Sequence, residues 1–185
     1  MSARLVSLVR ALDRTLARAS GAAIALGGLI LGLIALLGAA DVALAALASA
    51  PLPAANAIAE EFLPPAVFLA MGAGVRAKAH IVVDLVVGRL QGRMRLVLGA
   101  VATLCSMLFL LALAHGAWGL AADSIALRER AVAAVEFPVW PTKVLFALGA
   151  ALAFAEGVAA CLGALASLVP AQQALVVVPA RKEPA

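Results

Sequence analysis

Charge is scarce in this chain: Asp, Glu, Lys and Arg make up 13% of 185 residues, while 65% are hydrophobic and the mean hydropathy is +1.11. A soluble domain carries roughly a quarter charged residues, and a water-solvated core cannot absorb so much apolar surface. An ordinary soluble domain is therefore excluded. Aromatics are also few, at 4%, with no Tyr. Although the net charge is +4, no stretch interleaves basic residues with stacking aromatics, which excludes a nucleic-acid surface. The only cysteines, Cys105 and Cys161, both sit inside apolar runs. They form neither a disulfide framework nor a zinc ligand set and read as small buried hydrophobes. A glycine-rich phosphate loop, a Cys/His cluster and a nucleophile-base constellation are missing too, so no enzyme, metal or cofactor is expected.

What is present is a series of apolar runs separated by basic turns. Leu5, Leu8, Val9, Leu12 and Leu16 share one helical face, with Arg4, Arg10, Arg14 and Arg18 on the other. This pattern predicts an interfacial amphipathic helix over 1–20. The N-terminus resembles a signal peptide only superficially, because the apolar stretch that follows far exceeds a roughly 7 to 15 residue core, and it is expected to stay uncleaved. Residues 22–50 carry one charge, Asp41, and exceed the roughly 20 residues needed to cross a membrane. Pro51 and Pro53 end this first span.

The second span is placed at 57–77 because of topology. Its uncharged core, Phe62 to Val75, is short. If it did not cross, Arg76, Lys78, Arg89, Arg93 and Arg95 would lie opposite the basic N-terminus, against the positive-inside tendency. Pro64 and Pro65 are then expected in the first turns, where a missing N–H costs least. Residues 82–95 repeat the amphipathic spacing and predict a second interfacial helix. Spans three and four are expected at 96–122 and 143–169, separated by a polar loop with a short helix capped by Asp123 or Ser124. Residues 170–185 form a basic tail. Four Lys/Arg precede span one, five lie between spans two and three and two are in the tail, so eleven of fourteen fall on one side. The expected fold is an all-α integral membrane protein with four transmembrane helices, two cytoplasmic-side interfacial helices and both termini cytoplasmic.

Ionisable groups inside a membrane are candidate functional residues. Asp41 and His115 both fall toward the outer face, His115 about 28 Å along span three from Leu96. They either pair, meet headgroups or face a partner. Glu156 lies in the middle or inner half of span four, with no basic partner evident at that depth. It is either neutral and hydrogen-bonded within the bundle or turned to another subunit. Glu60 and Glu61 are a carboxylate pair at the outer end of span two, either solvated at a helix start or facing a partner. His80 and His115 lie at opposite faces, which excludes a bis-His haem site. His80 and Asp84, four apart, instead pair or cap a bend. Gly28 and Gly32 form a GxxxG of the kind that suits close helix packing.

The stretch around the basic hinge resembles a known family. Glu60-Glu61 before span two, Gly72 near its inner end, Arg76 with Lys78, and His80-Ile81-Val82-Val83-Asp84 match the pattern of the DctQ-type small permease subunit of TRAP transporters, the tripartite ATP-independent periplasmic systems. Pro138-Val139-Trp140 matches the start of its fourth span. The resemblance covers roughly residues 20 to 168. Two positions depart from the pattern: Pro64 stands near a position often basic, and the aromatic of span two is Phe68. The resemblance implies a bacterial inner-membrane subunit that scaffolds a large permease, which moves organic anions such as C4-dicarboxylates or sugar acids with sodium. It also implies a periplasmic substrate-binding protein as a further partner, beside membrane lipids. The competing reading is an independent homo-oligomeric channel or exporter with Glu156 in its pore.

Overall fold

The computed structural model describes residues 3–77, 93–131 and 135–176. They form four helices, α1 (Ala3–Ala48), α2 (Ala55–Arg76), α3 (Arg93–Ala126) and α4 (Trp140–Val176). Among the described residues there is no strand, only one isolated bridge between Arg130 and Pro138. All four helices are long and apolar enough to cross a membrane. A helix lies over each of the four stretches expected to cross, and each runs past the expected bounds at one end or both, except that α1 stops at Ala48 and α2 at Arg76.

α1 differs most from expectation. Its 46 residues form one helix of about 69 Å, with no boundary at Ser20 and Gly21, so the expected separate interfacial helix over 1–20 is not seen. Two things carry the helix through. The Ser20 hydroxyl is engaged by a residue of α4 and does not compete for its own backbone, and a lone Gly costs only about 1 kcal/mol in a helix otherwise rich in Ala and Leu. The buried side of α1 runs through Leu16, Ser20, Ala23, Gly27, Ile30, Ile34, Leu37 and Asp41 at alternating steps of four and three, the spacing that keeps one seam against a neighbour. The second expected interfacial helix lies mostly outside the described residues, and its last residues, Arg93 to Arg95, belong to the first turn of α3.

α2 and α4 are the central pair and run parallel. Gly149 meets Phe68, Gly72 meets Leu152 and Arg76 meets Glu156, at a nearly constant sequence offset. α1 packs antiparallel on α2, with Gly27 against Ala66, and α3 packs antiparallel on α4. Close approach depends on glycine at two points. A Cβ on Gly149 would sit 2.6 Å from the Phe68 carbonyl carbon, and one on Gly27 would sit 2.6 Å from the Ala66 carbonyl oxygen. Gly28 and Gly32, the GxxxG of the sequence, have open space around them instead. The core between α3 and α4 is built from Ala117, Ala121, Ala147 and Ala150, with Phe68 and Phe146 packed against it. The Phe68 and Phe146 rings meet with centroids 4.2 Å apart.

Three further expectations are corrected. Pro64 and Pro65 lie in the interior of α2, because the helix already begins at Ala55. They leave the carbonyls of Glu60 and Glu61 without the usual amide donor four residues on. Asp123 and Ser124 do not cap a new helix but lie in the last turns of α3, which continues to Ala126. The cysteines are not core residues: Cys105 is exposed and Cys161 half-buried, as expected of positions on the outside of a bundle whose solvent is lipid.

Candidate functional site: a buried charge cluster at one end of the bundle

The α2–α4 register brings the last residue of α2 level with Glu156, and a polar cluster forms where α1 crosses both. Glu156 is 2% exposed. Its Oε1 accepts a hydrogen bond from Ser20 Oγ at 2.5 Å and one from Arg76 Nε at 2.9 Å. Arg76 uses the other arm of its guanidinium on α1, with Nη2 at 3.0 Å from Asp13 Oδ1 and 3.1 Å from the Asp13 carbonyl oxygen. A single arginine thus ties three helices together, and Ser20 completes the shell around the buried carboxylate.

The chemistry of this cluster is structural. An ionised carboxylate inside an apolar bundle is costly unless it is paired and hydrogen-bonded, and here both conditions are met. The fork of Arg76 reaches two carboxylates at once, which a lysine's point charge would do less well. Glu156 is turned into its own bundle, which removes its side chain from any surface shared with another copy of the chain. The side chain is hydrogen-bonded within the bundle, but as the ion-pair partner of Arg76, where the sequence reading had it neutral. The basic partner that the sequence did not disclose is Arg76.

Other candidate residues are placed as follows. Gly72 is buried against Leu152 and Ala153 one turn before Arg76, where a Cβ would meet the Leu152 side chain at 3.2 Å. Asp41 and His115 do not pair. Asp41 Oδ1 accepts the Leu52 N–H at 2.6 Å and ties the α1–α2 turn, while His115 is exposed on α3. The two helices that carry them flank the central pair. Glu60 is exposed and Glu61 half-buried, and neither has a partner among the described residues. Next to them, Ile30, Leu33, Ile34, Leu37, Ile58 and Phe62 line an apolar groove of about 320 Å³ between α1 and α2. His80 and Asp84 lie outside the described residues. Trp140 opens α4 and is 44% exposed.

At the opposite end from the Glu156 cluster, the α3–α4 loop is closed by backbone bonds from Ala131 N–H to the Phe137 oxygen at 2.9 Å and from Val139 N–H to the Glu129 oxygen at 3.0 Å. Lys143 Nζ reaches Glu129 Oε2 at 2.5 Å, and this ammonium holds the Glu129 carboxyl below the usual carboxylate range. Among the described residues no group of three or more His, Cys, Asp or Glu is placed to hold a metal ion.

Comparison with known proteins agrees with this architecture. No curated protein and no solved structure matches the chain. The family described as tripartite ATP-independent periplasmic transporters, DctQ component, matches residues 34–169, a stretch that contains α2, α3, most of α4 and both Arg76 and Glu156. With four membrane-length helices and most of its length covered by that match, the chain belongs to the DctQ component family and is the small membrane subunit of a tripartite ATP-independent periplasmic transporter.

Proposed function

We propose that the chain is a non-translocating scaffold, on which a large permease subunit carries out sodium-coupled uptake of organic anions delivered by a periplasmic binding protein. The observation that carries this reading is the fate of Glu156. It is the one charged side chain buried in the bundle among the described residues, and its hydrogen bonds go to Ser20 and Arg76. A group held this way locks helices together and is not free to bind and release a substrate or an ion. The long apolar faces of α1 and α3, exposed through Leu29, Leu33, Leu36, Leu104, Leu108 and Phe109, suit lipid or a partner's helices.

Within this reading Gly72 and Arg76 act inside the subunit, setting the α2–α4 contact. Glu60 and Glu61, without a partner among the described residues, are presented to the large permease, and Trp140 anchors the start of α4 at the membrane boundary. The bias of Lys and Arg places both termini in the cytoplasm of a bacterium, with the subunit in the inner membrane. C4-dicarboxylates or sugar acids are the cargo class, selected by the partner subunits.

The test is purification and reconstitution with and without a co-expressed large permease. Uptake into liposomes should require both membrane subunits and the binding protein. Transport by this chain alone would sink the scaffold reading in favour of a homo-oligomeric channel. For topology, a reporter fused after Ala185 should be cytoplasmic.

A further inference from the structure

The end of the bundle opposite the Glu156 cluster carries two adjoining cavities of different character. The first, about 400 Å³, lies at the α3–α4 loop and is lined by Ile125, Arg128, Arg130, Pro138 and Trp140. The second, about 180 Å³, runs along the α3–α4 face and is lined by Trp118, Ala121, Ala122, Ile125, Val144, Ala147 and Leu148. Ile125 lines both, so a basic, aromatic-edged pocket at the helix ends lies next to an apolar groove between α3 and α4.

α3 ends in a left-handed turn, in which Glu129 N–H donates to the Ser124 oxygen at 3.0 Å and Arg128 N–H donates to the Ile125 oxygen at 3.2 Å. The residue in the left-handed position is Arg128, with φ 47°. Glycine takes this conformation more readily, and Ser49 is the other non-glycine residue with a positive φ among the described residues. Yet among the described residues the guanidinium of Arg128 has no hydrogen-bond or ion-pair partner. Its neighbour Arg130 is held only by Glu136 at 3.4 Å, with both side chains about two-thirds exposed, a pair that water and competing anions screen readily. Of the other nearby carboxylates, Glu129, between the two arginines in the chain, is taken by Lys143, and Asp123 is exposed.

We propose that these two cavities together bind one phospholipid, with its phosphodiester between Arg128 and Arg130 against the Trp140 edge and an acyl chain in the α3–α4 groove. The charge of the pocket fits a phosphate, which guanidinium forks hold in bidentate geometry. The apolar groove directly below it separates a lipid from a free anion, since only a lipid fills both. Trp140 at the rim of the basic pocket suits the headgroup level of a bilayer.

Native mass spectrometry of the chain purified with its large subunit, titrated with dioleoylphosphatidylglycerol after delipidation, tests the site. Wild type should retain the lipid. Arg128→Gly should weaken retention roughly tenfold, the effect of losing one charge-assisted hydrogen bond, and should melt at the same temperature or higher when lipid-free, because glycine relieves the strained turn. Ala122→Phe, which narrows the groove and leaves both arginines in place, should also weaken retention, and inorganic phosphate should not compete. Undiminished lipid retention by Arg128→Gly, a lower melting temperature for that variant, or full competition by inorganic phosphate would each overturn the proposal. Absence of bound lipid from the assembled complex would do so as well, since it would mean that a helix of the large subunit fills the groove.

Discussion

Arg76 Nε and Glu156 Oε1 lie 2.9 Å apart across the α2–α4 seam, with Glu156 2% exposed and the Arg76 side chain 30% exposed. This asymmetry decides which partner matters more. Arg76→Ala leaves a buried carboxylate with only Ser20 beside it and should cost about 3 kcal/mol or more. Glu156→Gln keeps an acceptor for Ser20 and leaves Arg76 near Asp13 and solvent, so it should cost less, about 1 to 2 kcal/mol. Replacing both by Leu should recover much of the loss, because a well-packed apolar pair avoids the desolvation of two charges. Reversible unfolding of the wild type and the three variants in detergent gives the comparison; equal losses for the two single variants would contradict the burial argument.

The position of this pair explains what could be read from the sequence and what could not. Hydropathy and the Lys/Arg bias place all four spans, because both signals are local. Arg76, read locally, is one of five basic residues marking a membrane boundary. That it turns back to meet a residue eighty positions away depends on the parallel α2–α4 register, which Gly72 and Gly149 set through close contacts that a single sequence does not display. The same limit applies to Asp41 and His115, matched by depth alone, whereas their helices flank opposite sides of the central pair. The boundary expected at residue 20 failed for a related reason: the polar residue there, Ser20, is satisfied by a tertiary contact with Glu156.

Glycine substitutions should separate the packing contacts from the motif. Gly149→Ala puts a methyl 2.6 Å from the Phe68 carbonyl carbon and 2.7 Å from its oxygen, and backbone cannot swing aside, so a loss of about 1 to 3 kcal/mol is expected. Gly28→Ala meets nothing within 4 Å and gains up to about 1 kcal/mol in helix propensity. Melting temperatures of the isolated subunit should therefore move in opposite directions. A strong destabilisation by Gly28→Ala would show that the GxxxG face packs inside the chain after all.

Glu61→Ala should leave the subunit's own stability within about 0.5 kcal/mol, since its carboxylate has no partner among the described residues and surface changes of this kind are small. Recovery of the co-expressed large permease in affinity purification should nonetheless fall. If co-purification is unchanged, Glu61 is a solvated carboxylate at the start of α2 and the assembly role proposed for it is wrong.

The loop pair Glu129 and Lys143 should give the α3–α4 loop end of the bundle a pH dependence of defined sign. Lys143 lowers the Glu129 carboxyl from its ordinary value of 4.5 in the folded protein, so the unfolded chain takes up a proton first as pH falls. The pair's contribution is therefore complete above about pH 4.5, declines below it and is gone once pH drops through the lowered folded value. Glu129→Gln should loosen the loop at pH 7 and lose its distinction from wild type in acid, with protease cleavage between α3 and α4 as the readout. Lys143→Met should show the same loosening at pH 7, since it removes the other half of the pair. A difference between Glu129→Gln and wild type that widens as pH falls would mean that the carboxylate is stabilised in its protonated form, which is incompatible with an ammonium at hydrogen-bonding distance.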